Sequence, residues 1–207
     1  MGRRDTPERI LRASLELFNE LGEPHVTTNR IAEELDISPG NLHYHFRTKH
    51  GLVEALFARF ERRMLDLLAT PDSEIPEIED IWLFLHLVFE AIVDYRFLYR
   101  DLSDLCARDR GLRRRFRAIL KLSMNMAEDL CRGLGRAGRM NATDRELQGL
   151  VRNVVLVSTY WIAFDQVMQD DGQPRPDRAA WQVMSLVSPY LVGEAREQLS
   201  LLGEAYL

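Results

Sequence analysis

Between Thr27 and Phe46 the chain contains two helix starts, and only Asp36 and Ile37 separate the helices they open. Thr27 or Thr28 can cap the first, whose Ile31, Ala32 and Leu35 fall on one stripe. Ser38 caps the second, and Pro39 takes its first helical position, where a missing N–H costs nothing. Two short helices joined so tightly cross at a steep angle, and the second protrudes far enough to enter a major groove. At about 100° per residue, Leu42 and Phe46 point into the packing arc with Pro39 nearby, while Gly40, Asn41 and Tyr44 occupy the opposite arc. The pattern is a helix-turn-helix, and its natural partner is double-stranded DNA.

The rest of the chain is punctuated by proline. Pro24, Pro71, Pro76, Pro174 and Pro176 mark breaks, Pro7 and Pro39 stand at helix starts, and Pro189 falls inside an apparent helix. Helical periodicity runs through every interval: 7–21, 28–35, 39–45, 49–68, 77–99, 102–107, 112–134, 144–169 and 178–206. No stretch alternates convincingly as a strand. The expected fold is all-α, with a three-helix head at 1–50, a linking helix at 48–69 and a larger helical part at 70–207. In the link, Leu52, Leu56, Phe60, Met64 and Leu68 recur at helical spacing and can bury one stripe.

Composition narrows the class. A hydrophobic fraction of 46% is ordinary for a globular protein, and no run of about 18 apolar residues predicts a membrane span. The first residues, Met1 to Pro7, lack the apolar core of a secretory signal. Cys106 and Cys131 are too few for a disulfide framework and lack zinc-site spacing, so a cytoplasmic location is expected. The net charge of −5 is unusual for a partner of a polyanion. In the first fifty residues Arg3, Arg4, Arg9, Arg12, Arg30, Arg47 and Lys49 face Asp5, Glu8, Glu16, Glu20, Glu23, Glu33, Glu34 and Asp36, so there is no basic patch. Arg30, Arg47 and Lys49 lie in or beside the motif, and Arg3 and Arg4 form an arm able to reach a flanking phosphate or a minor groove. Tight binding is expected only from a dimer.

Over its first sixty or so residues the chain resembles the TetR family of bacterial one-component regulators. The resemblance is carried by an amphipathic first helix ending at Leu21-Gly22 and by the Thr27-Thr28 pair. It continues through Ser38-Pro39-Gly40-Asn41-Leu42 and then Tyr44-His45-Phe46-Arg47-Thr48-Lys49. It implies a homodimer that binds a palindromic operator, more often as a repressor than as an activator. It also implies a helical C-terminal domain that binds a small-molecule effector and holds the dimer, with the linking helix transmitting ligand binding. Carried over by residue, Thr28, Arg30, Pro39, Gly40, Asn41, His43 and Tyr44 would face DNA, with Tyr44, His45 and Lys49 mainly on phosphates. Phosphate contacts set register and base-edge contacts set sequence preference. His43 departs from the tyrosine common at its place.

In the larger part, Trp82, His86, Tyr95, Asn125, Tyr160 and Trp161 combine apolar bodies with polar tips, as pocket linings do, and Phe89 and Met124 of the apolar stripes are placed with them, although plain core competes at each position. With no phosphate-cradling glycine loop and no carboxylate cluster, the effector is expected to be small and substantially apolar. The last two long helices look too apolar for one partner. By the resemblance, dimerisation falls there, on Val151, Val155, Trp181, Met184, Val187 and Leu191, with burial inside one subunit as the competing reading. Between residues 96 and 117, eight arginines oppose Asp101, Asp104 and Asp109. That segment is either a solvated face or a contact to an anionic effector group or to the DNA-binding head.

Two other classes compete with this reading. His43 and His45 would share a face on a strand and could bind zinc, but on a helix they diverge by about 200° and cannot chelate together. No enzyme, metal or cofactor is therefore expected. The other rival is a helical ligand-binding protein that has lost DNA binding, a reading the acidic first fifty residues keep open.

Overall fold

The computed structural model describes residues 6–69, 77–168 and 174–206. Arg3, Arg4, Pro71, Pro76 and Gln169 lie outside the described residues. Helices occupy Thr6–Leu21 (α1), Thr28–Glu34 (α2), Pro39–His45 (α3), Lys49–Leu68 (α4), Ile78–Asp94 (α5), Arg96–Arg100 (α6) and Leu102–Arg108 (α7). They continue with Arg110–Arg136 (α8), Asp144–Met168 (α9), Pro176–Val187 (α10) and Glu194–Tyr206 (α11). Among the described residues there is no strand. A single antiparallel bridge pairs Met140 with Leu191.

Two long helices expected from periodicity are each broken into two, α5 with α6 and α10 with α11. The apolar run 77–99 breaks after α5 because a distant side chain satisfies the broken ends. Asn19 donates its amide to the Asp94 carbonyl at 2.8 Å and accepts the Phe97 N–H at 3.1 Å. The run 178–206 breaks after Val187, where Pro189 brings no N–H to the ladder. A 3-10 turn at Ser188–Tyr190 and Gly193 at φ 58° redirect the chain into α11. Pro176, read as a break, instead opens α10 at a position where the ring fits.

The chain forms two compact units, one from residues up to Arg63 together with Asp94–Arg115, the other from Met64–Val93 and Phe116 onward. The helix-turn-helix unit thus takes in a segment that sequence alone groups with residues 70–207. Its core gathers Phe18 against Phe97, and Phe60 against Phe57, Tyr95 and Tyr99, with ring centroids 5.3–6.0 Å apart. The expected stripe of α4 is buried from Leu52 to Met64. Burying each such side chain contributes roughly 1.5–3 kcal/mol.

In the turn between α2 and α3, Asp36 has φ 52°, a left-handed conformation unusual for a residue with a Cβ. Replacing Asp36 with glycine is expected to stabilise the protein by about 0.5–1 kcal/mol, read from the denaturant midpoint. A lower midpoint would show that the Asp36 carboxylate stabilises the turn.

In the second unit, α9 opens with a capping box. The Glu146 carboxylate accepts the Thr143 N–H at 2.8 Å, and Thr143 Oγ1 accepts the Glu146 N–H at 3.3 Å. Trp181 of α10 meets Trp82 edge to face, 6.5 Å between centroids. It also lies so close to α11 that a methyl on Gly203 would overlap the indole. Gly203→Ala should therefore destabilise this unit by about 1–3 kcal/mol, the usual range for overpacking a filled core. An unchanged thermal midpoint would contradict that packing. By length and mean hydropathy alone α9 passes the test for a membrane-crossing helix, yet Arg152, Asn153 and Asp165 interrupt its apolar residues and a third of its most apolar window is buried within the structure.

Candidate nucleic-acid interface

The head is built from local hydrogen bonds. Thr27 Oγ1 accepts the Arg30 N–H at 3.2 Å and starts α2, and Ser38 Oγ accepts the Asn41 N–H at 3.2 Å and starts α3. Ile31, Ala32 and Leu42 are buried, which locks the two helices face to face. Because Leu42 is the buried residue of α3, the opposite arc must look outward. Pro39, Gly40, Asn41 and His43 are exposed, and Tyr44 is 83% exposed with its ring edge-on to His45 at 5.1 Å. Arg30 is exposed and Thr28 is half-buried at the first turn of α2. A Cβ on Gly40 would meet only Ser38 Oγ at 4.0 Å, so nothing inside the chain demands glycine there. The structure brings Gly40, Asn41, His43 and Tyr44 together on one protruding surface. The helical spacing separates His43 from His45, so the pair is not a chelate.

Lys49 stands apart from this group. Its ammonium donates to the Glu23 carbonyl at 2.9 Å and pairs with the Glu23 carboxylate at 3.1 Å. Glu23, 2% exposed, also accepts from Arg108 at 2.6 Å, and its N–H donates to Asp101 at 3.0 Å. Burial raises the Glu23 pKa, but the hydrogen bonds and charges of Arg108 and Lys49 outweigh it and hold the carboxyl below its ordinary value. The link from the break before α2, through the start of α4, to α7 was not legible in the sequence. No local spacing connects Glu23 to Arg108.

The arginine-rich segment resolves in the same way. Arg100 donates to the Phe18 carbonyl at 2.6 Å and to the Asn19 carbonyl at 3.3 Å, closing the end of α1. Arg115 grips the Glu61 carboxylate at 2.5 Å and lies 4.7 Å over the Phe57 ring. Arg100, Arg108 and Arg115 therefore hold the helix-turn-helix unit together, while Arg110, Arg113, Arg114 and Arg117 are exposed. Of the readings open for this segment, contact to the DNA-binding head is the one these three arginines make.

Of the residues singled out as pocket lining, Tyr95 belongs to the first unit and the other seven to the second. Trp82 and Phe89 are buried, and His86 faces Glu90 at 3.6 Å. Met124 is half-buried, Asn125 exposed, and Tyr160 48% exposed. Trp161 Nε1 is buried without a hydrogen-bond partner among the described residues. A cavity of about 260 Å³ in this unit is lined instead by residues such as Cys131, Arg136, Met140 and Leu147. Burial raises the Cys131 thiol to about 11, so it is a neutral, apolar wall.

The residues singled out for dimerisation are mostly turned inward. Val151, Val155, Met184, Val187 and Leu191 are buried within their own chain, and Trp181 is half-buried. The exposed apolar side chains of α9 are Leu156, Tyr160, Phe164, Val167 and Met168, a stripe at i, i+4, i+8, i+11 and i+12 that periodicity alone does not separate from the buried one.

Comparison with known proteins agrees with this geometry. A family model described as "Bacterial regulatory proteins, tetR family" matches residues 10–56, and one described as "Bacterial transcriptional repressor" matches 59–199. Among curated relatives, the class A tetracycline repressor protein from transposon 1721 of Escherichia coli is 33% identical over 76 residues, 37% of this chain and 32% of that one. The HTH-type transcriptional regulator UidR of Escherichia coli (strain K12) is 35% identical over 66 residues, 32% of this chain and 34% of that one. The matched segment thus spans about a third of the length of each. A solved structure of a TetR-family transcriptional regulator from Marinobacter aquaeolei VT8 is similar over 100% of this chain and 99% of its own, with 35% identity and a TM-score of 0.87.

Proposed function

Because the chain belongs to the TetR family of bacterial transcriptional regulators, we propose that it is a cytoplasmic, homodimeric repressor that binds a palindromic operator and leaves it when a small molecule binds. The observation that carries the reading is the exposed surface of α3. Gly40, Asn41, His43 and Tyr44 lie on the outer side of a helix fixed by the Ser38 cap and by the buried Leu42. Thr28, Arg30 and His45 flank it. Gly40 admits a phosphate backbone at close range, and Asn41 offers a donor and an acceptor to a base edge. Lys49 contributes to DNA binding through position, by pinning the start of α4 to Glu23, as well as through charge.

The dimer face is assigned to the exposed stripe of α9. Phe164 is 56% and Val167 85% exposed, an arrangement that a partner copy of the same helix would cover. The effector is small and substantially apolar, received in the second unit, where the Trp161 indole N–H offers a donor to an acceptor atom. Helix-turn-helix dimers set their reading helices about 34 Å apart. The effector acts by favouring a dimer that departs from that spacing.

Phe164→Glu tests the dimer and the DNA reading together. The variant is expected to sediment as a monomer and to lose retardation of the genomic fragments that the native chain retards. A variant that stays dimeric would move the interface off this stripe. A native chain that retards no genomic fragment would remove the DNA-binding reading.

A further inference from the structure

We propose that His50, Glu54 and Asp109 bind one divalent transition-metal ion, for which Zn²⁺ is the suited probe, inside the helix-turn-helix unit. One ligand atom from each residue lies within 4.8 Å of the others. His50 and Glu54 stand at i and i+4 in the opening turns of α4 and so project from the same side. Asp109, the residue before α8, meets them there.

The two oxygens of Asp109 have different duties. Oδ1 caps α8, accepting the N–H groups of Gly111 at 2.7 Å and Leu112 at 3.0 Å. Oδ2 is buried and has no hydrogen-bond partner among the described residues. His50 Nε2 lies 3.7 Å from it, too far for a hydrogen bond. That separation suits two ligands of one ion, since bonds of about 2.0–2.2 Å in a tetrahedral shell place ligand atoms roughly 3.4 Å apart. Arg115 Nη1 is 3.8 Å from Glu54 Oε1, but Arg115 pairs more tightly with Glu61 at 2.5 Å, so Glu54 is only loosely held. His50 is exposed and gives the ion a path in. One imidazole and two carboxylates form a borderline donor set suited to zinc, with water at the fourth position. The bound ion would tie the start of α4, separated from the reading helix by three residues, to the start of α8.

The test is calorimetric titration of the chelator-stripped full-length protein with Zn²⁺. One ion per chain is expected, with affinity at least tenfold lower in His50→Gln and in Asp109→Asn. The asparagine keeps an oxygen for the α8 cap, and circular dichroism checks that both variants fold. His86→Gln removes the other His–Glu pair at i, i+4, at 3.6 Å in the second unit, and is expected to change nothing. No binding at micromolar zinc, or binding that His50→Gln and Asp109→Asn leave intact, would overturn the proposal. Because it rests on these three side chains and not on DNA recognition, a failure to find an operator leaves it standing.

Discussion

Replacing Glu23 with alanine is expected to lower the stability of the helix-turn-helix unit by about 3 kcal/mol, at the low end for breaking a buried ion pair by removal of one partner. The low end applies because Lys49 and Arg108 keep partial contact with water, at 28% and 49% side-chain exposure. Two ion pairs of one carboxylate go at once, to the start of α4 through Lys49 and to α7 through Arg108, which leaves both positive charges without their offset while the Lys49 bond to the Glu23 carbonyl remains. Glu23→Gln keeps the shape and removes the charge, so it should fall between the native chain and Glu23→Ala in denaturant midpoint.

The same pair of proteins shows a pH effect of definite sign. The folded-state pKa of Glu23 lies below the ordinary value of 4.5. Its contribution is therefore complete above that value and is lost as pH falls through the lower, folded-state pKa. The native chain should lose stability more steeply than Glu23→Gln below about pH 4.5, and the two curves should run parallel at neutral pH. Equal slopes in acid would mean that Arg108 and Lys49 do not hold the carboxylate.

The second large effect falls on function and spares stability. Asn41→Ala with Tyr44→Ala should reduce operator affinity by at least about a hundredfold. A good base contact discriminates by about 1–3 kcal/mol, and a symmetric dimer loses each contact twice. The thermal midpoint should change little, since neither side chain is buried and surface changes rarely exceed about 0.5 kcal/mol. Gly40→Ala sharpens the point. With open space at its Cβ, alanine in α3 should leave the fold as stable or slightly more so, yet weaken binding by keeping the DNA backbone at a distance. A destabilised Asn41→Ala/Tyr44→Ala protein would show that these side chains serve the fold.

How far the sequence reveals this molecule depends on the reach of each interaction. The caps at Thr27 and Ser38 are written within three residues of the N–H groups they satisfy, and the buried stripe of α4 repeats within one helix, so both were legible. The break at Tyr95 was not, because its cause, Asn19, is 75 residues away from Asp94. In the sequence Glu23 is one of eight acids in the first fifty residues; in the structure it is a buried junction, because Arg108 arrives from 85 residues further on. On α9, apolar residues occupy both sides of the helix. Local pattern shows that they are apolar, and only the packed chain distinguishes Val151 and Val155, which face their own subunit, from Phe164 and Val167, which do not.

Lys49 illustrates the same limit for function. Its place in the motif suggests a phosphate contact, while its ammonium is engaged by Glu23. A substitution there would mix lost DNA contact with lost structure. Asn41 and Tyr44 give a cleaner control.

Whether the exposed surface of α3 reads DNA within a symmetric dimer is decided by selecting DNA from a random pool with the full-length protein and sequencing what it retains. One enriched motif with two-fold symmetry is expected, half-sites about one helical turn apart, with no enrichment by the Asn41→Ala/Tyr44→Ala protein. A motif that survives the double substitution, or no enrichment by a folded native dimer, would contradict it.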